Sequence, residues 1–414
     1  MAGYCRYKRL KKQVSYDSGA TWQDVSPAEY MKGDLIESAS TICGYAVYTR
    51  WVESGYTCVG YDKHAVEYEQ TSNDNINWTY TQRSRTGRLL EANSEDCGYV
   101  PPTPPTPTDY STQYLTFRAL EDCSFSVNKN YYLGTMSYSL DSGDTWVELA
   151  NTGGTTPTIQ SGDTVMWKGV TSAATSTMGA RFNSSYGRYE VEGNIMSLKY
   201  GDNFSGQTTL PDEYSFCYLF SGDTRITSAE NLVLPATATT RECYMSMFRN
   251  CTNLTTAPST LPATSLFNYC YQYMFAGCTS LTAAPTLPAT DLGYRCYDYM
   301  FSYCTSLTTP PELPATTLSQ GCYRHMFEYC TSLTTAPVLS AATLAQECYY
   351  RMFYECVSLG AIACLATDIR ATDCTYQWLY CVSSSGTFIK AASMNDWPTG
   401  NNGIPSNWIV LNNS

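Results

Sequence analysis

One repeated segment decides how this chain folds: Cys296-Tyr297-Asp298-Tyr299-Met300-Phe301-Ser302-Tyr303-Cys304-Thr305-Ser306-Leu307. Five blocks carry this pattern, and their central residues are Phe248, Phe275, Phe301, Phe327 and Phe353, with Leu379 in the next slot and a looser copy at Phe220. The intervals from Phe248 to Leu379 are 27, 26, 26, 26 and 26 residues. A fixed period in this range indicates a solenoid, whose units bury their apolar faces only against one another. Because solenoids mostly display surface, the repeat favours binding over catalysis.

The spacing inside a block predicts a short amphipathic helix. Cys322, Met326 and Cys330 stand at i, i+4 and i+8, and Tyr323 and Phe327 flank the same stripe. Such a stripe is typical of one buried helical face. The Thr-Thr-Ala-Pro-x-Leu-Pro-Ala-Thr segment that follows contains prolines, which cannot donate ladder hydrogen bonds, so the strand of each block must be short. The repeats therefore predict an α/β solenoid.

The remaining chain predicts a multidomain β protein. Residues 33–45 match residues 87–99 without a gap, which indicates two tandem small β modules. Five prolines follow within residues 101–107 and favour an extended polyproline II spacer. Short alternating runs between Gly- and Asp-rich turns then favour a β-sandwich-like domain. The predicted domains are β module 1 at 1–50, β module 2 at 51–100, the Pro-rich linker at 101–110, the β-sandwich-like domain at 111–199, the solenoid at 200–382 and a C-terminal cap at 383–414.

Composition narrows the partners. The chain has 414 residues, of which 43% are hydrophobic and 15% charged, and a net charge of -12. This balance excludes global disorder and argues against nucleic acid as a partner, because no basic block is large enough to hold a phosphate backbone. No apolar run approaches 18 residues, so no membrane span is predicted. The first residues lack an apolar signal region, so we expect the chain not to be exported by the usual route.

The 19 cysteines are predicted to be buried free thiols. Cys322 and Cys330 would lie about 12 Å apart along a helix, beyond the roughly 7 Å limit for a disulfide. Cysteines in the same slot of neighbouring blocks could come closer, so a disulfide ladder is the alternative. A zinc site is less favoured, because the chain has no Cys-x-x-Cys and only two histidines, His64 and His325. No metal or other cofactor is expected.

Positions that vary between blocks are the candidate binding residues. They form a predicted solvent-facing stripe of aromatic and charged side chains: Tyr273, Tyr299, Arg324, His325, Glu328, Tyr329, Tyr350 and Arg351. Tyrosine offers amphipathic area at low entropic cost, which suits glycans and proteins. The alternative is that these side chains are only solvated or pack between blocks. No nucleotide-binding, metalloprotease or nucleophile-elbow motif occurs, so we predict that the chain is not an enzyme.

Two segments resemble the S-x-D-x-G-x-T-W Asp-box of sialidases. They are Ser15-Tyr16-Asp17-Ser18-Gly19-Ala20-Thr21-Trp22 and Ser139-Leu140-Asp141-Ser142-Gly143-Asp144-Thr145-Trp146. In that family the box is a structural turn away from the active site. The residues themselves suit a tight hairpin, in which Asp bonds the turn backbone and Gly takes a positive φ. A hairpin is therefore favoured over a glycosidase site.

The core Met-Phe-x-x-Cys-Thr-Ser-Leu resembles the BspA-like branch of leucine-rich repeats. This chain departs from that family in two ways. Its period is longer than is usual in the family, and it contains the Ala-Pro-x-Leu-Pro-Ala insert. The Leu-Pro-Ala-Thr-Thr-Leu variant is similar to proteins of gut Bacteroidetes and of the crAss-like phages that infect them. The resemblance implies a leucine-rich-repeat solenoid with an adhesive or structural display role and no activity.

These observations predict a phage virion protein, a head or tail fibre or decoration protein, assembled in the host cytoplasm. Its N-terminal modules would bind other virion proteins, and its repeats would reach a host-surface glycan or protein. No membrane and no nucleic acid partner is expected. A symmetric homo-oligomer is expected, with a trimer favoured. The alternative is a bacterial cell-surface adhesin with BspA-like repeats, and a third possibility is a carbohydrate-active enzyme.

Overall fold

A computed structural model describes residues 109–128, 134–171, 180–395 and 397–413, and the backbone of five strands before residue 92. The chain divides into two compact units, Met1–Thr108 and Asp109–Ser414. The boundary lies inside the predicted linker. The first Asp-box and the duplicated segment at 33–45 lie outside the described residues, as do residues 92–108.

The described backbone of the first unit is entirely strand. Strands β1 (Gln13–Val14) and β2 (Gln23–Asp24) pair antiparallel. A longer antiparallel meander joins β3 (Tyr48–Val59), β4 (Asp62–Ser72) and β5 (Thr79–Glu91) in that order.

The second unit opens with two packed sheets. Its strands are β6 (Leu115–Ala119), β7 (Phe125–Asn128), β8 (Gly134–Ser139), β9 (Val147–Glu148), β10 (Gly153–Thr155), β11 (Thr164–Thr171), β12 (Arg181–Ser184) and β13 (Tyr189–Asn194). The larger sheet has the order β13-β6-β11-β8-β9, and the smaller sheet has the order β10-β7-β12. Aromatic side chains of both sheets meet between them, because alternate residues of each strand point inward. The ring centroid of Phe117, in the larger sheet, lies 5.1 Å from that of Phe125 and 5.0 Å from that of Phe182, both in the smaller sheet.

The larger sheet continues into the repeats. After β13 come the α-helix α1 (Ser197–Tyr200) and a 3-10 turn at Gly201–Asn203. Strands β14 (Ile226–Ser228) and β15 (Leu232–Val233) then pair parallel with β13. The aromatic core continues as well, since Phe220 lies 5.9 Å from Phe182 and 5.2 Å from Phe248. The β domain therefore covers one end of the repeats, and both share one core.

The repeats contain turns where the spacing predicts helices. A helical N–H would bond the carbonyl four residues back. Here Met247 N–H donates to the Tyr244 carbonyl, three residues back, at 3.2 Å, whereas Phe248 N–H donates to Met274 of the next block at 2.9 Å. Every fourth residue has a positive φ, such as Ser246 at 55°. A left-handed residue at that spacing ends any helix.

The α/β leucine-rich-repeat solenoid predicted for residues 200–382 is therefore wrong. In the described residues the α-helix content is the four-residue α1, and the sheets are small and open. The i, i+4, i+8 spacing that favoured a helix fits a four-residue turn at least as well, because a helix drifts from that register at 3.6 residues per turn. Hydrogen bonds and side-chain stacking between blocks decide between the two.

Consecutive blocks lie in parallel register, about 26 residues apart. Isolated parallel bridges mark the register, for example Thr260 to Thr286 and Ala283 to Thr309. The invariant side chains form buried columns: Tyr271 lies 5.7 Å from Tyr297, with rings 12° from parallel. Near the far end the bridges lengthen into the parallel strands β16 (Ala361–Cys364), β17 (Thr387–Lys390) and β18 (Ile409–Asn412). We call residues 214–382 the repeat stack.

Residues 383–413 cover the far end of the core. Trp378 occupies the methionine slot of the last block and stacks on Tyr349 at 6.1 Å. On its other side the Trp397 ring lies 5.6 Å away. Trp378 Nε1 donates to the Gly403 carbonyl at 3.0 Å, which satisfies the polar atom of a fully buried ring. The tail thus packs against the last block of the repeat stack.

Candidate functional site

The positive-φ turns place the variable residues on one face of the repeat stack. Each block has three such positions, which in one block are Arg295, Tyr299 and Tyr303. The invariant residues between them, such as Met300 and Phe301, are fully buried. The backbone therefore sorts each block into a buried set that is nearly constant and a surface set that varies.

Rings from two adjacent variable slots form a continuous ladder. The centroid of Tyr273 lies 4.6 Å from that of Tyr299, which lies 4.1 Å from that of His325. The ladder continues, tilted, to Tyr350 at 5.4 Å and from there to Tyr376 at 4.8 Å. Stacking at these distances fixes the rings before any ligand arrives.

A second ladder runs beside the first. Tyr303 is 50% exposed and stacks on Tyr329 at 4.5 Å. Tyr329 meets Tyr354 edge-on at 5.7 Å, and Tyr354 stacks on Tyr380 at 5.0 Å. We call the two ladders and the charged side chains next to them the tyrosine face: Tyr273, Tyr299, Tyr303, Arg324, His325, Glu328, Tyr329, Tyr350, Arg351, Tyr354, Tyr376 and Tyr380.

A charged seam lies under the first ladder. Arg295 Nη2 lies 3.1 Å from Glu347 Oε2, and Arg324 Nε lies 3.5 Å from the same oxygen. Asp298 is 1% exposed, accepts a hydrogen bond from Gln272 Nε2 at 2.9 Å and lies 3.9 Å from Arg324. Burial raises the pKa of the Asp298 carboxyl to about 6, against the opposing effects of Gln272 and the arginines. The seam links four consecutive blocks through side chains.

Arginines also lie over the faces of some of these rings. The Arg324 guanidinium lies 5.0 Å from the Tyr350 centroid, and Arg351 lies 4.7 Å from Tyr354. Both distances fall within the range of cation–π attraction. The charges of the tyrosine face are thus held against its rings instead of moving freely in solvent.

His325 and Glu328 differ from the prediction of an exposed stripe. His325 is 3% and Glu328 7% exposed, and His325 Nδ1 lies 3.0 Å from Glu328 Oε2. Burial lowers the pKa of His325, and the glutamate only partly offsets that shift. The expectation that the His325 slot faces solvent is wrong, because the neighbouring rings Tyr299 and Tyr350 enclose it.

The structure brings all eight predicted residues together on this face. Six of them, namely Tyr273, Tyr299, Arg324, Tyr329, Tyr350 and Arg351, are partly exposed. Sequence reasoning missed the charged seam and the extension of both ladders. The repeat period could have found two of the missed residues, because Tyr303 shares a slot with Tyr329, and Tyr354 shares one with Glu328. It was weaker for Arg295 and Glu347, because their slot precedes the recognised block.

Stacking limits what the tyrosine face can hold. Rings packed face to face within a ladder cover each other's π surfaces and expose edges and hydroxyl groups. A sugar ring stacked flat on tyrosine would need a free ring face, which the stacked middle of the ladders does not offer, and Arg249 lies over the Tyr273 ring at one end. The middle instead presents phenol groups at the block spacing, beside carboxylates and guanidinium groups, and so favours hydrogen bonding.

The second Asp-box forms the predicted hairpin. Asp141 Oδ1 accepts hydrogen bonds from Ser139 Oγ at 2.7 Å and from Thr145 N–H at 2.9 Å, while Trp146 Nε1 donates to the Gly143 carbonyl at 2.9 Å. Ser142 and Gly143 have φ values of 58° and 97°. These bonds, chiefly those from Thr145, lower the pKa of Asp141 to about 2. Every contact of this carboxylate serves the turn.

The described cysteines are free thiols, and all but Cys381 are buried. One column donates to carbonyls of the preceding block, as Cys304 Sγ does to Phe275 at 3.2 Å. Burial raises the pKa of these thiols, Cys304 included, and so keeps them protonated. Free thiols are thus confirmed over a disulfide ladder for these residues.

The described residues contain neither a metal-binding cluster nor a membrane-spanning helix. No group of three or more His, Cys, Asp or Glu in them is arranged to hold a metal ion. No helix among them is long and apolar enough to cross a membrane.

Comparison with known proteins gave no family. No protein-family model matches the chain, and neither curated proteins nor solved structures gave a significant match.

Proposed function

We propose that this chain is a non-enzymatic binding protein of a phage virion, a head or tail fibre or decoration protein, whose tyrosine face holds a host-surface glycan or protein. One observation carries the proposal. The blocks keep the residues that build the core and vary those on a single face, which is the division of labour that repeat proteins use for recognition.

The chemistry of the tyrosine face supports a binding role. Tyrosine and arginine dominate it, and these residues are enriched where proteins bind partners. Their side chains are already held by stacking and by charge, so little conformational entropy would be lost on binding. Asp298 and Glu347 neutralise the arginines, which makes the seam a scaffold for the ladders.

The virion assignment rests on the resemblance of the Met-Phe-x-x-Cys-Thr-Ser-Leu core to proteins of crAss-like phages. Buried free thiols agree with assembly in a reducing cytoplasm. The N-terminal modules would then bind other virion proteins, and a homo-oligomer would present several copies of the face. The bacterial surface adhesin remains the alternative.

A cell-binding assay tests the proposed site. Fluorescent full-length protein would be titrated onto fixed cells of gut Bacteroidetes strains, with Tyr303→Ser/Tyr329→Ser as the variant. Val338→Ser is the control, because Val338 is 54% exposed and lies between the bridging residues Thr335 and Leu339, outside the tyrosine face. We expect the double variant to lose binding at least tenfold and the control to keep it. Equal binding by both variants would remove the tyrosine face from the proposal.

Two further measurements separate the ligand and the location. Periodate or protease treatment of the cells distinguishes a glycan from a protein receptor. Immunogold labelling with an antibody to residues 201–414 should mark purified phage particles. Gold confined to the bacterial envelope would contradict the virion assignment and favour the adhesin, while hydrolysis of a host glycan by the purified chain would contradict the non-enzymatic role.

A further inference from the structure

Among the described residues, the parallel ladder ends at strand β18 with an open edge. Strand β18 pairs with β17 on one side, and it is the edge of its sheet in the described residues. Ile409 N–H donates to Gly386 at 2.8 Å, and Asn413 N–H donates to Lys390 at 2.7 Å. Since successive residues of a strand point their amides to opposite sides, Val410 and Asn412 direct theirs away from β17.

The side chains of this edge are apolar and exposed. Ile409 is 64%, Val410 43% and Leu411 48% exposed. Val410 also ends a core column, because its register neighbours are Phe388 and Ile362, which are 0% and 3% exposed. An exposed apolar edge of this kind can pair with another strand.

We propose that β18 of one chain pairs antiparallel with β18 of a second copy, centred on Val410. In this register the two Val410 residues exchange both backbone hydrogen bonds, and each Ile409 lies opposite the partner chain's Leu411. The same edge serves both copies, so the contact is self-complementary about a two-fold axis.

Charge favours a second copy as the occupant. No charged residue occurs from 397 to 414, in a chain that carries a net charge of -12. Two such edges meet without like-charge repulsion, and the edge offers nothing that would select a charged partner. Head-to-tail addition is less suited, because β14 and β15 at the other end of the ladder are already paired to β13.

The pairing should be weak in dilute solution. A four-residue edge is much smaller than the roughly 800 Å² per partner of a standard interface. Light scattering on the full chain should therefore show the mass rising with concentration from one copy toward two. Val410→Pro should keep it at one copy, because proline removes an outward N–H that no described strand uses. Val410→Thr keeps the N–H and should still pair.

Cysteine crosslinking tests the register. In a Cys381→Ser background, Val410→Cys should form an intermolecular disulfide, since a hydrogen-bonded antiparallel pair separates Cα atoms by about 5.5 Å. Asn412→Cys is the control, because its counterpart would lie about 14 Å along the strand. Crosslinking at 412 but not at 410 would overturn the register.

Three results would overturn the pairing itself. They are a single-copy mass at every concentration, a mass of three copies, and self-association that Val410→Pro leaves unchanged. The cell-binding assay is a separate readout, so failure of this inference and failure of the proposed function can be told apart.

Discussion

The β domain and the repeat stack build aromatic cores of similar residues with opposite ring geometry. In the β domain Phe117 meets Phe182 at 82° and Phe125 at 65°, edge to face. In the repeat stack Phe275 and Phe301 lie 2° from parallel at 5.7 Å. Edge-to-face and offset contacts are both favourable for isolated rings. The difference shows that backbone register, which is identical in every block, selects the ring geometry of the stack.

The same register orders the surface of the repeat stack. Because each block repeats the backbone of its neighbour, a variable side chain lies directly over its counterpart, as Tyr303 lies over Tyr329. In the β domain, Trp146 instead lies among residues from different segments, 4.9 Å from Tyr114 and under Lys168 at 4.2 Å. Ladders therefore arise only where the blocks repeat.

The largest effect is expected for a ring inside a column. Phe327→Ala removes a fully buried ring that stacks on Phe301 and Phe353 at 5.7 and 5.5 Å. We expect unfolding free energy to fall by about 3–5 kcal/mol, measured by urea denaturation. Phe267→Ala is the matched control: Phe267 is 52% exposed, and its loss should cost about 1 kcal/mol or less. Equal costs would contradict the column.

The next effect concerns the charged seam. The pKa of Asp298 is raised to about 6 from an ordinary 3.8, so folding favours the protonated acid. That contribution to stability is fully present below about pH 4 and is lost as pH rises through 6. Asp298→Asn, neutral throughout, should match the native chain at pH 4 and exceed it at pH 7 by on the order of 2–3 kcal/mol.

Urea denaturation at pH 4, 5.5 and 7 would measure this difference. Asp373→Asn, at an exposed carboxyl, serves as the control for the change of an acid to its amide. A variant of Asp298 that is less stable than the native chain at pH 7 would mean that its ion pair with Arg324 outweighs burial.

A glycine substitution distinguishes turn from helix by its sign. Gly277 has a φ of 77°, and a Cβ there would lie 2.3 Å from Asn250 Oδ1. In a helix Gly→Ala stabilises by roughly 1 kcal/mol, whereas at this turn Gly277→Ala should destabilise by about 1–2 kcal/mol. Gly162 has a φ of 93°, and a Cβ there would meet no atom within 4 Å. Gly162→Ala therefore measures the backbone cost without the steric contact. Thermal denaturation measures the stability change of both variants. Stabilisation by Gly277→Ala would contradict the turn and indicate a helix instead.

The smallest effect is expected for the exposed thiol. Cys381→Ser should change stability by no more than about 0.5 kcal/mol, as is usual for a surface substitution. Iodoacetamide labelling with peptide mass spectrometry should modify Cys381 in the native protein, and Cys304 or Cys330 only after unfolding. Native labelling of Cys304 would contradict the buried columns.

Sequence alone determined the periodicity, the buried columns, the free thiols and the Asp-box hairpin. Those features follow from which residue types recur and from the burial of apolar side chains away from water. For example, Asp141 and Gly143 specify their turn locally.

Only the tertiary structure decided that the blocks are turns. The four-residue spacing of Cys322, Met326 and Cys330 suits both states, and the choice depends on hydrogen bonds such as that from Phe301 N–H to Met326, which join residues 25 positions apart. The burial of His325 likewise depends on rings of the neighbouring blocks, and the open edge at Val410 depends on where the last strand lies. No local pattern contains those long-range contacts, because they exist only once the blocks are in register.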